Sequence, residues 1–245
     1  MSRNYELMRE MEQKQALLSD PSIEPAFTPA ESRSVRRQWA SDQMAGLVQQ
    51  VFLQPAQTPP HVVVFAAIDH GNGCSQIAAA AARTLSASAP GPVCLVEANF
   101  RSPALPRMLG TTNYQGFTNA LLEHGSIRSF MKPMGSGCLW LLSSGPLAAD
   151  SPKLLAAERV RARFIELRAE FHFVIVDAPP LSRYADAIAL GQLSDGMVMI
   201  LKAGSTRRDV ASTAVNSVRS SRIQVLGAIL NQGAAPRRGD HFKTP

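Results

Sequence analysis

The chain has 245 residues, enough for one large α/β domain or two small ones, with an ordinary apolar content of 45%. Aromatics are sparse at 6% while alanine recurs, which favours close-packed helices over an all-β sandwich. The net charge of +6 suits an anionic partner such as a nucleotide, an acidic lipid or nucleic acid, or else marks a mildly basic solvated surface.

From the N-terminus, Ser2–Leu18 reads as a helix, followed by a proline-bearing linker over Asp20–Pro29 (Pro21, Pro25, Pro29). A second helix is predicted over Ser34–Leu53, where Met44, Leu47, Val48, Val51 and Phe52 form one apolar face. These two helices either pack against the main domain or meet another subunit or a membrane-protein partner. Residues 1–60 are therefore taken as an N-terminal helical extension with a Pro-rich linker, 61–231 as the main domain, and 232–245 as a polar tail. Within the main domain, strands are expected at Val62–Ala66, Pro92–Glu97, Leu139–Ser143, Phe173–Asp177, Gly196–Leu201 and Val225–Asn231. Helices are expected at Ser75–Ala87, Phe117–Leu122, Ser126–Phe130, Ser151–Glu170, Ala185–Leu193 and Thr206–Ser220. Continuous apolar strands alternating with helices imply a doubly wound, mostly parallel sheet covered on both faces.

No apolar run approaches the ~20 residues of a membrane span. Cys74, Cys94 and Cys138 are widely spaced, and no CxxC or His/Cys cluster points to zinc. Their odd number, with no signal peptide in view, suits a reducing cytoplasm.

In an open parallel sheet the ligand lies at the carboxyl ends of the strands. After Val62–Phe65 comes Gly71-Asn-Gly-Cys-Ser-Gln76 and then a run of alanines, the strand, glycine loop and helix layout of a phosphate-binding loop. Such a loop turns backbone N–H groups and the helix dipole toward an anion. The nucleotide-binding candidates are Gly71, Asn72, Gly73, Cys74, Ser75, Gln76 and, at the last strand's end, Asn231. Asp177, ending an apolar strand, suits a carboxylate on Mg²⁺ or its water, and Ser75 suits a hydroxyl on the same ion. Each also has a plain role: a loop hydrogen bond for Asp177, a helix N-cap for Ser75. Glu97 is a candidate metal-side carboxylate or general base, and Arg101 a phosphate ligand; an exposed strand end and a surface arginine are their ordinary alternatives. Cys74 is either a reactive thiol at a helix N-terminus or a small filler.

From His61 onward the chain resembles the ATPase domain of bacterial tyrosine kinases (BY-kinases) of capsule and exopolysaccharide assembly, relatives of MinD/ParA-type P-loop ATPases. Ala66–Ser75 stands at the Walker A loop and Phe173-Val-Ile-Val-Asp-Ala-Pro-Pro180 at Walker B. Val93-Cys-Leu-Val-Glu-Ala-Asn-Phe-Arg-Ser-Pro103 is similar to Walker A′. Gly116–Leu122, Leu142–Pro146, Asp195–Arg208 and Leu226–Asn231 continue the series in order. The resemblance implies ATP and Mg²⁺ as cofactors, and Asp177, Glu97 and Arg101 as catalytic residues. It also implies a membrane chain-length determinant (polysaccharide co-polymerase) as partner, a homo-oligomer, no nucleic acid, and a cytoplasmic place at the inner face of the membrane. The departures are specific. The Walker A lysine is Cys74, the Thr after its Ser is Gln76, and the two Walker A′ aspartates are Glu97 and Asn99. The C-terminal tyrosine cluster is absent, since the tyrosines are Tyr5, Tyr114 and Tyr184.

Losing a loop cation costs on the order of 3 kcal/mol in the transition state, roughly a hundredfold in rate. The first expectation is therefore a degenerate kinase-like P-loop protein that regulates or scaffolds exopolysaccharide polymerisation and export. The second is a working protein-tyrosine kinase with its positive charge supplied by Arg101, Lys202 or a partner. The third is a ParA/MinD-like positioning ATPase, which salt-sensitive DNA retention would reveal.

Overall fold

The structure is a computed structural model that describes residues 29–54, 59–135, 138–146 and 158–232. The expected helix over Ser2–Leu18, most of the linker, the start of the Ser151 helix and the tail beyond Gln232 lie outside the described residues. The chain divides into two compact units, 1–42 and 43–245.

Helix α1 spans Pro29–Val48 and runs into a wider π turn over Gln49–Leu53. Pro29, placed in the linker on sequence, is the first helical residue instead, a position where the missing N–H costs nothing. In the second unit, β1 (Val62–Ala67) leads into α2 (Cys74–Ser88), and then come β2 (Val93–Glu97), α3 (Leu105–Leu109) and α4 (Phe117–Leu122). A 3₁₀ turn at Ile127–Phe130 precedes β3 (Lys132–Met134) and β4 (Leu139–Leu142). The remainder alternates α5 (Glu158–Glu170), β5 (Phe173–Ala178), α6 (Asp186–Gly191), β6 (Gly196–Lys202), α7 (Arg208–Ser220) and β7 (Val225–Asn231). The seven strands lie in the order β3-β4-β2-β5-β1-β6-β7, all neighbours parallel except β3 and β4.

Period-two alternation sends successive strand residues to opposite cores. Val62, Val64 and Ala66 of β1 join Phe117 of α4, Phe164 of α5, Leu190 of α6 and Val218 of α7. Val63, Phe65 and Ala67 face the other way, onto Ile77, Ala81 and Leu85 of α2 and onto Val48 and Phe52. The alanine run earns its place here: Ala78, Ala79, Ala81 and Ala82 are buried, and side chains this short let α2 lie close on the sheet. Met44, Leu47 and Val51 pack on the same core, so the apolar face read from Met44 to Phe52 is a packing face.

The register sets the site. Glu97 pairs across from Asp177, and Asp177 across from Phe65. All three share the parity of the α2 face, so the two carboxylates stand side by side where α2 begins.

Candidate functional site

Beyond β1 the backbone turns through Gly71 (φ +80°) and Gly73 (φ +86°), left-handed conformations that a side chain would strain. The loop is clamped from two strand ends. Asn72 is buried, and its Nδ2 donates to Thr206 Oγ1 (3.2 Å) and Ile200 O (3.4 Å). Asn231, closing β7, donates from Nδ2 to Asn72 O (2.8 Å), and a Cβ on Gly73 would fall 2.4 Å from that nitrogen. The first intrahelical bond of α2 runs from Ile77 N to Gly73 O (3.1 Å). The N–H groups of Cys74, Ser75 and Gln76 precede it and carry the positive end of the helix dipole to the crevice. That crevice holds about 350 Å³ and is lined by Gly71–Gln76 together with His70, Asn99, Arg107 and Gln232 among others.

Beneath the loop lies Asp177, with no exposed surface and no ordinary hydrogen bond to either carboxylate oxygen. Burial pushes its pKa up to about 7; nearby Ser75 and Cys74 hold it back, and the adjacent charge of Glu97 adds to the rise. Burial, and then the charge of Asp177, raise the Cys74 thiol well above its ordinary value. Cys74 Sγ instead donates to Phe65 O (3.2 Å). Of the two readings of Cys74, the small inward filler agrees with this geometry and the reactive thiolate does not.

Glu97 is fully buried and already engaged. Its Oε1 accepts from Ala104 N (2.5 Å) and Leu105 N (2.7 Å), and its Oε2 from Ser144 N (3.1 Å). It is neither an exposed strand end nor an open carboxylate, but a brace between α3 and the turn after β4. Arg101 also departs from its expected place: it pairs with Asp186 (3.1 Å) and lies over the Tyr184 ring (4.0 Å), outside the crevice lining. Lys202 does not line the crevice either. Sequence reading missed Arg107, which does. Its helix spans five residues, too few for periodicity to reveal.

Against Mg²⁺ and a nucleotide phosphate the residues fit in part. The N–H cradle, the Ser75 hydroxyl and the unpartnered Asp177 carboxylate suit both groups, and Mg²⁺ needs only one or two protein ligands beside phosphate and water. The loop residues Gly71–Gln76 include no lysine or arginine. No cluster of three His, Cys, Asp or Glu stands ready for a metal among the described residues.

The glycine loop between β1 and α2, the parallel sheet order and the crevice at the strand ends define a P-loop ATPase fold of the MinD/ParA type. A ParA family ATPase from Chlorobium tepidum superposes with a TM-score of 0.60 at 19% identity, over 70% of this chain and 74% of that one. The VpsO kinase domain superposes with a TM-score of 0.72 at 22% identity, over 82% and 99%. No family model matches the chain. Its homologues are bacterial tyrosine-protein kinases. Tyrosine-protein kinase YwqD of Bacillus subtilis is 30% identical over 139 residues, 57% of this chain and 59% of that one. The succinoglycan biosynthesis transport protein ExoP of Rhizobium meliloti is 28% identical over 180 residues, 72% of this chain and 23% of that one. The chain thus spans less than two thirds of either relative. A cobyrinic acid a,c-diamide synthase from Mycobacterium smegmatis, solved with a bound ATP analogue and magnesium, superposes with a TM-score of 0.58 at 18% identity, over 69% of this chain and 74% of that one. No described helix is long and apolar enough to cross a membrane.

Proposed function

We propose that this chain is a kinase-like P-loop protein that binds Mg²⁺ and ATP weakly, with impaired phosphoryl transfer, and that it regulates or scaffolds exopolysaccharide polymerisation and export. The observation that carries this reading is Cys74. At the head of α2, where a lysine would reach the phosphates, a thiol donates inward to Phe65 O beside the buried Asp177, whose oxygens accept no hydrogen bond. The backbone cradle does not depend on that side chain, so binding survives while stabilisation of transferring charge is lost. Asp177 and Ser75 are assigned to the metal side, Gly71–Gln76 to the phosphates, and Asn231 to holding the loop. The likeness to a succinoglycan biosynthesis transport protein supports a membrane chain-length determinant as partner, which would hold this chain at the inner face of the membrane; a homo-oligomer is part of the same proposal.

The test is a titration with ATP, with and without Mg²⁺, alongside turnover, in the wild type and in Cys74→Lys, each checked for folding by thermal melt. We expect Cys74→Lys to bind more tightly and to turn over at least about a hundredfold faster. Equal affinity and turnover in the two proteins would overturn the reading, as would wild-type tyrosine phosphorylation at the rate of an intact kinase.

A further inference from the structure

The crevice lacks a loop lysine but not a cation. Among the described residues its lining contains no lysine and a single guanidinium, Arg107. We infer that Arg107 meets the phosphate end of the bound nucleotide in place of the missing lysine, and that Glu97 is the residue that positions it. The inference rests on the nucleotide reading above and adds to it the residue that supplies the charge.

Three observations lead there. Arg107 is exposed at the crevice, and none of the ion pairs or hydrogen bonds of the described residues uses its side chain. Arg101, by contrast, is spent on Asp186 and Tyr184. The crevice lining already carries an acid, Asp69, and Asp177 lies buried beneath the loop with both oxygens without a hydrogen bond, so a phosphate placed there needs a cation nearby as well as a metal ion. Finally, the helix bearing Arg107 is held from below. Five residues do not sustain a helix alone. Leu105 packs with Ile77 of α2, and Glu97 accepts the N–H groups of Ala104 and Leu105, which fixes where α3 starts, two residues before Arg107. The carboxylate of Glu97 thus acts on the crevice through α3 and touches no ligand itself.

The experiment is a titration of the full chain with a fluorescent ATP analogue in Mg²⁺, with adenosine as a second ligand, at low and at high salt. Arg107→Gln should weaken the ATP analogue about tenfold or more, the value of one charge-assisted contact, and leave adenosine unchanged. Arg107→Lys should recover part of the loss. Arg219→Gln, which removes an exposed arginine outside the crevice, should bind as the wild type does. Glu97→Gln should weaken the analogue too, but add little in the Arg107→Gln background, because both changes remove one interaction. A purely structural role for Glu97 would make the two losses add. Arg107→Gln binding the analogue as tightly as the wild type would overturn the inference while leaving the nucleotide site standing. Absence of saturable binding in the wild type would overturn the site itself, and the inference with it.

Discussion

Asp177 is a carboxylate kept from both water and partners, and its chemistry follows from that. Its folded pKa, about 7, lies above the ordinary carboxylate value of 3.8. The folded state therefore holds this proton more tightly than the unfolded chain does. The contribution to stability is whole below the ordinary value and drains away as pH rises toward about 7. Asp177→Asn removes the charge at nearly constant shape. It should raise the melting temperature of the ligand-free protein at pH 8, by an equivalent of up to about 4 kcal/mol, and the gain should fade toward pH 4. Melts across that range check this, and a gain independent of pH would refute it. Which residue carries the carboxylate was plain from sequence, because a charge ending the Phe-Val-Ile-Val run can only sit at a strand tip. That neither oxygen is hydrogen-bonded was not, since the polar groups nearest to it, Ser75 and Cys74, lie about a hundred positions away in the chain.

At the level of elements, the sheet is tied to its covering helices by few polar contacts. Asp195, just before β6, accepts from His61 N (2.8 Å) and Val62 N (2.7 Å) at the start of β1, and pairs with Arg168 of α5 (2.8 Å). Partial burial works against the charge, but Arg168 and the two backbone N–H groups bring its pKa below the ordinary value. Asp195→Ala should cost about 2–3 kcal/mol at pH 7, read by denaturant unfolding, since two strand N–H groups lose their acceptor. Because the folded pKa is depressed, the contribution is present above the ordinary carboxylate range and is lost as pH falls through the folded value. The gap between variant and wild type should therefore close in strong acid. Two elements escaped sequence reading, each for a local reason. In α3, Pro106 sits in a first turn that tolerates it, but five residues show no period. In β3, Pro133 reads as a breaker, yet the strand lies at the sheet edge, where proline is allowed.

For the whole molecule, the seven strands align the glycine loop, Glu97 and Asp177 at one end of the sheet, so a ligand there would bridge β1, β2 and β5. A ligand that binds only the folded state stabilises it by mass action. With Mg²⁺ and ATP at about a hundredfold over the dissociation constant, the gain is about 2.7 kcal/mol, or roughly 5–10 °C in melting temperature for a domain of this size. Thermal melts with and without the ligand would show it, and no shift at saturating ligand would count against the nucleotide site. The likeness to tyrosine-protein kinases is consistent with the sheet order.

By itself the sequence determined the alternation of strands and helices, the glycine turn and the place of Asp177. These follow from local rules: a strand buried on both faces must be apolar throughout, and a turn at positive φ favours glycine. Only the tertiary structure decided what each charged side chain does. Glu97 braces α3, Arg101 turns away to Asp186, and Arg107 faces the crevice. Such assignments depend on which groups long-range packing brings within a few ångströms, and no local pattern encodes that.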